Sequence, residues 1–268
     1  MSVSEEGLCW DLVVDGPRTG EANMARDLEL ARQAAAGVRR PTLRLYAWDP
    51  PAVSVGKNQP LEQACDLEAC QELGWDVVRR PTGGRAVLHA RDEVTYAVAM
   101  PLAMAPEGVL AAYAWLAEGL VAAYRLLGVD AALASGRHLE SRSGACFDAP
   151  ATHELVAGGR KIAGSAQVRR AGYLLQHGSL PLTFDAGLHA RLLGLDARAA
   201  AILARRAVGL GDLLSPPPQR ARVLEALAAG FEQALGIRFA NTGGHPGGGA
   251  SGGGPGDSRA QSRPVGAA

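Results

Sequence analysis

The stretch Arg79-Arg80-Pro81-Thr82-Gly83-Gly84-Arg85-Ala86-Val87-Leu88-His89 holds residues whose types and spacing could do chemistry. Adjacent glycines let backbone approach a ligand closely and take up φ > 0 where a turn demands it. The arginines offer planar donor forks suited to a carbonyl, a carboxylate or a phosphate. Two glycines alone would describe an ordinary hairpin turn with solvated arginines. The paired Arg79 and Arg80 before the turn, and His89 just after it, favour a binding site. A second stretch, Ser143-Gly144-Ala145-Cys146-Phe147-Asp148-Ala149-Pro150, holds a thiol between small residues and a proline. That placement could present Cys146 to a substrate, although spacing alone favours an incidental loop cysteine. In a third, Arg160-Lys161-Ile162-Ala163-Gly164-Ser165, Lys161 sits beside a turn, where lysines are ordinarily solvated, and Gly164 and Ser165 leave room next to it.

The remaining polar candidates are weaker. His89 reads equally as a pocket wall or a core residue, His153 as a surface residue and His177 as structural support. Cys65 and Cys70 fall on one predicted helix at a spacing that puts them on different faces, so both read as structural thiols. With Cys9 and Cys146 they complete the four cysteines, too few for a disulfide scaffold in a chain of this size. No metal-ligand spacing links the histidines and cysteines. No Walker-type phosphate loop is present.

The elements that must position these residues follow from the pattern. Strands are predicted at 9–14, Thr42–Trp48, 75–78, 86–88 and 94–98, and again at 154–157, 160–168 and 172–180. Gly158-Gly159 marks a tight hairpin turn between two of them. Helices are predicted from Ala22 to Ala36, from Leu61 to Leu73 with a stop at Gly74, from Val109 to Leu127, and through most of 184–235 up to and beyond Pro216-Pro217-Pro218. In the first helix Met24 and Leu28 lie on the apolar face, with Arg26, Asp27, Glu29 and Arg32 largely elsewhere. The fold class is therefore α+β, with a mixed, largely antiparallel sheet flanked by helices. Residues 1–240 form one domain and 241–268 a disordered Gly-rich tail with almost nothing to bury.

At 268 residues and 47% hydrophobic content the chain can bury one sizeable core. Its 27 basic and 27 acidic residues give a net charge of +0, which argues against a sequence-blind grip on nucleic acid. No apolar run follows a basic N-terminal segment, and no unbroken apolar stretch reaches membrane-spanning length. A cytoplasmic protein without a membrane partner is expected.

The Arg79–His89 stretch closely resembles the signature of the lipoate/octanoate branch of the biotin–lipoate protein ligase superfamily. In that superfamily the double-glycine segment covers the acyl chain, and in ATP-using members it lies close to the adenylate. This stretch by itself leaves the branch open. Ala145-Cys146-Phe147-Asp148-x-Pro150, followed by Glu154-Leu155-Val156-x-x-Gly159-Arg160-Lys161-Ile162-Ala163-Gly164-Ser165-Ala166-Gln167 and then Leu175-Gln176-His177-Gly178-Ser179-Leu180, is similar to the octanoyltransferases that load octanoate from acyl carrier protein onto a lipoyl domain. The resemblance runs from about Asp15 to Phe239. It implies a biotin/lipoate ligase catalytic-domain fold, Cys146 as carrier of an acyl thioester, and Lys161 pointing at the acyl carbonyl and lowering the thiol's pKa. It also implies a substrate site built from Arg79, Arg80, Gly83, Gly84, His89, Gly164 and Ser165. No cofactor or metal is implied. The donor would be octanoyl-acyl carrier protein and the acceptor a lipoyl domain, foremost the glycine-cleavage H protein, with a monomer favoured. The competing readings are an ATP-dependent lipoate ligase with Cys146 a bystander, an amidotransferase between lipoyl domains, and a non-catalytic protein that holds a lipoyl domain or acyl carrier.

Overall fold

A computed structural model of the chain describes residues 9–134 and 154–240. The opening strand β1 (Cys9–Arg18) leads into helix α1 (Gly20–Ala35), whose N-cap Thr19 accepts a hydrogen bond from the Ala22 amide. Next come β2 (Thr42–Trp48), β3 (Ala52–Val55), the short helix α2 (Leu67–Glu72), β4 (Asp76–Arg79), β5 (Val87–His89), β6 (Val94–Pro101) and the long helix α3 (Val109–Leu126). After β7 (Ala131–Leu133) the described chain resumes with β8 (Leu155–Ala157), β9 (Arg160–Lys161), β10 (Gly164–Arg170) and β11 (Tyr173–Leu180). Helices α4 (Ala186–Leu192), α5 (Ala197–Arg206) and α6 (Arg220–Leu235) and the short strand β12 (Arg238–Phe239) complete it.

The main sheet runs β10-β11-β6-β2-β1-β12. The β10–β11, β11–β6 and β6–β2 pairs are antiparallel, whereas β1 lies parallel to both β2 and β12. Two smaller sheets, β4-β3-β5 and β7-β8-β9, flank it. The α+β class and the mixed, largely antiparallel sheet are thus as the sequence predicted.

Both faces of the main sheet are covered, which sets the environment of the site. Leu43, Leu45, Tyr96 and Val98 pack with Leu116 and Leu120 of α3 and Phe231 of α6 in the largest core cluster. From the same strands, Tyr46, Trp48, Ala97 and Ala99 point the other way and pack with Met24, Leu30 and Ala31 of α1. This two-sided cover buries even the polar members of β2, so Thr42 and Arg44 are inaccessible. Asp27, predicted away from the apolar face of α1, is buried as well. Arg44 reaches it across the layer at 2.7 Å, so the pair goes into the core together.

Other local expectations are corrected. The helix predicted over Leu61 to Leu73 is broken: a single 3-10 turn at Leu61–Gln63 precedes α2, because the Asp66 side chain caps the Ala69 amide and restarts the helix. Cys65 therefore lies ahead of the helix, and it shares one buried cluster with Cys70 rather than facing away from it. Burial raises both thiols' pKa values, that of Cys70 to about 12, as befits inert structural cysteines. The strand predicted over 160–168 breaks at Ile162-Ala163, so that β9 joins a small sheet and β10 the main one. Among the described residues α3 is long and apolar enough to cross a membrane by length and composition alone, although Glu118 and Arg125 interrupt its apolar run as the sequence reading expected. In this fold its Ala112, Leu116, Leu120 and Ala123 face the core and it packs along α6.

Candidate active site

The Arg79–His89 stretch forms the turn between β4 and β5 and lies over β3. Backbone hydrogen bonds fix it there: the Arg80 amide donates to Val55 O at 2.9 Å and the Lys57 amide to Thr82 O at 2.9 Å. The crossing is so close that a Cβ on Gly56 would stand 1.9 Å from the Gly84 carbonyl oxygen. Gly84 itself has φ +89°, in the left-handed region that glycine alone enters without strain.

The two arginines turn inward onto the chain itself. Nη1 of Arg79 donates to the carbonyls of Gly56, Lys57 and Gln59. Arg80, 4% exposed, donates to the carbonyls of Ser54, Gly83 and Arg85 and to the hydroxyls of Ser54 and Thr82. The Arg80 bonds hold the glycine turn, whereas the exposed Arg79 ties itself through Nη1 to the 56–59 segment.

From Arg80 two relays run inward, and their directions follow from which groups can only accept. Asp27 accepts from Arg44 and Tyr46, and it also accepts the hydrogen bond donated by His177 Nδ1–H at 3.0 Å. His177 Nε2 is then an acceptor, filled by the Thr82 hydroxyl at 2.7 Å, while Thr82 accepts from Arg80 Nε. In the second relay Glu93 accepts from Ser179, Thr95 and His89 Nδ1, the last at 2.7 Å. His89 Nε2 and the Ser54 hydroxyl are hydrogen-bonded at 2.8 Å, and Ser54 Oγ accepts from Arg80 Nη1. A single guanidinium thereby anchors both relays. His177 is neutral, since burial depresses its pKa and outweighs the raising effect of Asp27. His89 also stacks on Trp48, with ring centroids 4.1 Å apart.

Between the turn and the β10–β11 hairpin lies a narrow pocket of about 40 Å³. Of the residues singled out from sequence, Arg80, Gly84, His89, Gly164 and Ser165 line it together. Gly83 does not line it, and Arg79 lines a larger open groove next door. Ser165 accepts a hydrogen bond from the Tyr96 hydroxyl at 2.8 Å, and burial holds that phenol protonated by pushing its pKa up to about 12. Met24, Tyr46, Trp48, Ser54, Thr95 and Ser179 also line the pocket, and the sequence reading passed them over as lining residues. Met24 comes from α1; the signal of the other five is their parity on β2, β3, β6 and β11, on the α1 side of sheets whose other side is core, which becomes visible only once the topology is known.

Lys161 is on β9, three residues before Gly164, and is 1% exposed rather than solvated. Its ammonium donates to Glu154 Oε1 at 2.6 Å. The other Glu154 oxygen is buried without a hydrogen-bond partner among the described residues. Cys146 and His153 lie outside the described residues. Among those described, no group of His, Cys, Asp and Glu side chains is placed to hold a metal.

The sequence matches the lipoyl protein ligase A/B catalytic domain over residues 19–232. Among curated proteins, it is 42% identical over 239 residues to the octanoyltransferase LipM of Symbiobacterium thermophilum, covering 85% of this chain and 87% of the relative. It is also 42% identical to the octanoyltransferase LipM of Kyrpidia tusciae, covering 86% and 88%. Among solved structures, a lipoate-protein ligase A bound with ATP superposes with a TM-score of 0.71 at 24% identity, covering 86% of this chain and 87% of that one. The bipartite lipoate protein ligase of Thermoplasma acidophilum, described with its E2 lipoyl domain, gives 0.69 at 22% identity, covering 87% and 86%. At that identity the structural likenesses speak for the fold.

Proposed function

The chain belongs to the lipoyl protein ligase A/B catalytic-domain family and is an acyltransferase of octanoyl transfer in lipoate biosynthesis; from that premise we propose how it works. The donor is octanoyl-phosphopantetheine on acyl carrier protein, the acceptor is a lipoyl-domain lysine, foremost that of the glycine-cleavage H protein, and the acyl group passes through a thioester on Cys146. Residues 1–240 make up the catalytic domain, and the Gly-rich remainder is an appendage to it. The reaction takes place in the cytoplasm.

The observation that carries this reading is the single pocket that brings the glycine turn, through Gly84, against Gly164 and Ser165, the residues that follow the Lys161 strand. The pocket receives the acyl chain beneath the turn. Its carbonyl end lies toward Gly164, on the side from which Lys161 approaches.

Cys146 thiolate attacks the donor carbonyl, the new C–S bond forms, and the pantetheine thiolate leaves and takes up a proton. One thioester replaces another, so the step is close to energy-neutral and the acyl group stays activated without ATP. The acceptor lysine then attacks as a neutral amine, the C–N bond forms, the C–S bond breaks, and the amine proton passes to the departing Cys146 thiolate. With a reference pKa of about 10.4 that amine must lose a proton before it attacks. The Lys161 ammonium stabilises the thiolate and the developing oxyanion, and Glu154 holds it in place.

Intact-mass measurement after incubation with octanoyl-acyl carrier protein, in the absence of ATP, tests the reading. One octanoyl group should appear in a hydroxylamine-sensitive linkage, and Cys146→Ser should abolish both that adduct and turnover. Normal turnover by Cys146→Ser would remove the nucleophile assignment. Activity only with free lipoate and ATP would make the protein a ligase, and loading only from an octanoylated lipoyl domain an amidotransferase.

A further inference from the structure

The pocket and the neighbouring open groove of about 900 Å³ meet at only two shared lining residues, Met24 and Arg80. Arg80 is immobilised by its bonds to the carbonyls of Ser54, Gly83 and Arg85. Met24, on α1 and 5% exposed, has no such tether. An unbranched thioether side chain with several rotatable bonds is the more adaptable partition of the two.

The β10–β11 hairpin shows which end of the pocket this partition closes. Gly164, Ser165 and Ala166 line the pocket, whereas Val168, Arg170 and Tyr173 line the groove. Passing along β10 away from Lys161 therefore leads from the pocket, past Met24, into the groove. From Gly164 the strand reaches Ala166, the last pocket-lining residue on it, in about 7 Å and Val168 in the groove in about 13 Å, so the passage from pocket to groove falls within the length of an extended medium-length acyl chain with its carbonyl. Beyond Met24 the groove continues with apolar walls from Leu28, Val78, Pro81 and Val168. Space for a longer chain exists, and one side chain stands in front of it.

We propose that Met24 is the chain-length stop of this enzyme: it touches the ω-end of the bound acyl group and sets the selectivity for eight carbons by closing the pocket off from the groove. The inference rests on the octanoyl-transfer reading for what fills the pocket. Shortening Met24 merges pocket and groove and admits longer acyl chains, while a bulkier residue shortens the pocket. A hydrophobic pocket discriminates roughly 10–200-fold per methylene, so the shift is large enough to read.

The test uses the full-length protein and two readouts. Acyl-enzyme formation is followed by intact mass with hexanoyl-, octanoyl-, decanoyl- and dodecanoyl-acyl carrier protein. Binding of free octanoic and dodecanoic acid is followed by calorimetry, which requires no thiol chemistry. Met24→Ala should raise the dodecanoyl-to-octanoyl ratio at least tenfold in both readouts. Met24→Phe should lower octanoyl relative to hexanoyl loading at least tenfold, and the volume-conserving Met24→Leu should keep octanoyl first. If Met24→Ala does not fold, Met24→Phe decides. Folded Met24→Ala and Met24→Phe proteins with the wild-type chain-length profile would overturn the proposal, as would a wild type that binds dodecanoic acid as well as octanoic. A wild type that binds octanoic acid with the predicted Met24 dependence but forms no acyl-enzyme would sink the transfer reading and leave the chain-length stop standing.

Discussion

At the level of single residues, the ion pair of Lys161 with Glu154 changes how the lysine should be tested. Both side chains are withdrawn from solvent, 1% and 12% exposed. Removing one member of a buried pair leaves the other charge uncompensated, at a cost of about 3–5 kcal/mol. Lys161→Ala is therefore expected to lose stability at neutral pH for a reason unrelated to catalysis, and Glu154→Gln on top of it should restore most of that loss in urea unfolding. The catalytic effect is read separately, from the pH profile of iodoacetamide alkylation at Cys146. In the stable double variant that profile should move to higher pH by one or two units, because a neighbouring ammonium favours thiolate over thiol. A double variant with an unshifted profile would confine Lys161 to the acyl carbonyl. A lysine in the signature segment was legible in the sequence. Its burial was not, because Glu154 looks like an ordinary strand-end acid until the β8–β9 hairpin brings it across.

At the level of elements, the glycine turn was located from sequence, but its two glycines read alike. The structure separates them. A Cβ on Gly83 would meet nothing within 4 Å, whereas one on Gly84 would sit 3.0 Å from Arg80 Nη2 and would need φ +89°. Gly84→Val is expected to cut acyl-enzyme formation by at least a hundredfold, since it strains the turn and pushes on the guanidinium that orients Thr82 and Ser54. Gly83→Val should retain loading within a few-fold. Parallel acylation time courses on folded variants check this, and equal losses at both positions would show that the turn closes farther onto the acyl chain than it does here. The arginines illustrate the limit of pattern reading. Their adjacency suggested donors for a ligand, but Arg80 commits its donors to the turn and to Ser54, and Arg79 ties through Nη1 to the 56–59 segment. Donor type is written in sequence, while the nearest acceptor is set by how β3 passes beneath.

The whole molecule is tied together through His177, and its stability should carry that signature in pH. Asp27 on α1, His177 on β11 and Thr82 in the turn between β4 and β5 form one hydrogen-bonded line across the helix, the main sheet and the smaller sheet. The β-strand pattern around Leu175-Gln176-His177 was plain in the sequence, as was a supporting role for the histidine. Its partners, 150 and 95 residues away in the chain, were not. Burial depresses the pKa of His177, and that of His189 in α4, below the ordinary 6.5. The sign follows directly: below pH 6.5 the unfolded chain takes up protons on these imidazoles that the folded chain refuses. Their contribution is fully present above that pH and is lost as pH falls through the range below it, by up to about 1.4 kcal/mol per pH unit for each histidine. Urea unfolding at pH 7.5, 6.5 and 5.5 should therefore show falling stability. His177→Gln, less stable at pH 7.5 because Asp27 and Thr82 lose their bridge, should show a shallower fall between pH 6.5 and 5.5, since one of the two refused protons is gone. Protonation at Nε2 would also expel the Thr82 hydroxyl as donor and release the turn, so acyl loading should decline over the same interval in the wild type. Parallel pH profiles of stability for wild type and His177→Gln would mean that the imidazole is not held neutral, and the relay from Arg80 to Asp27 would have to run in another direction.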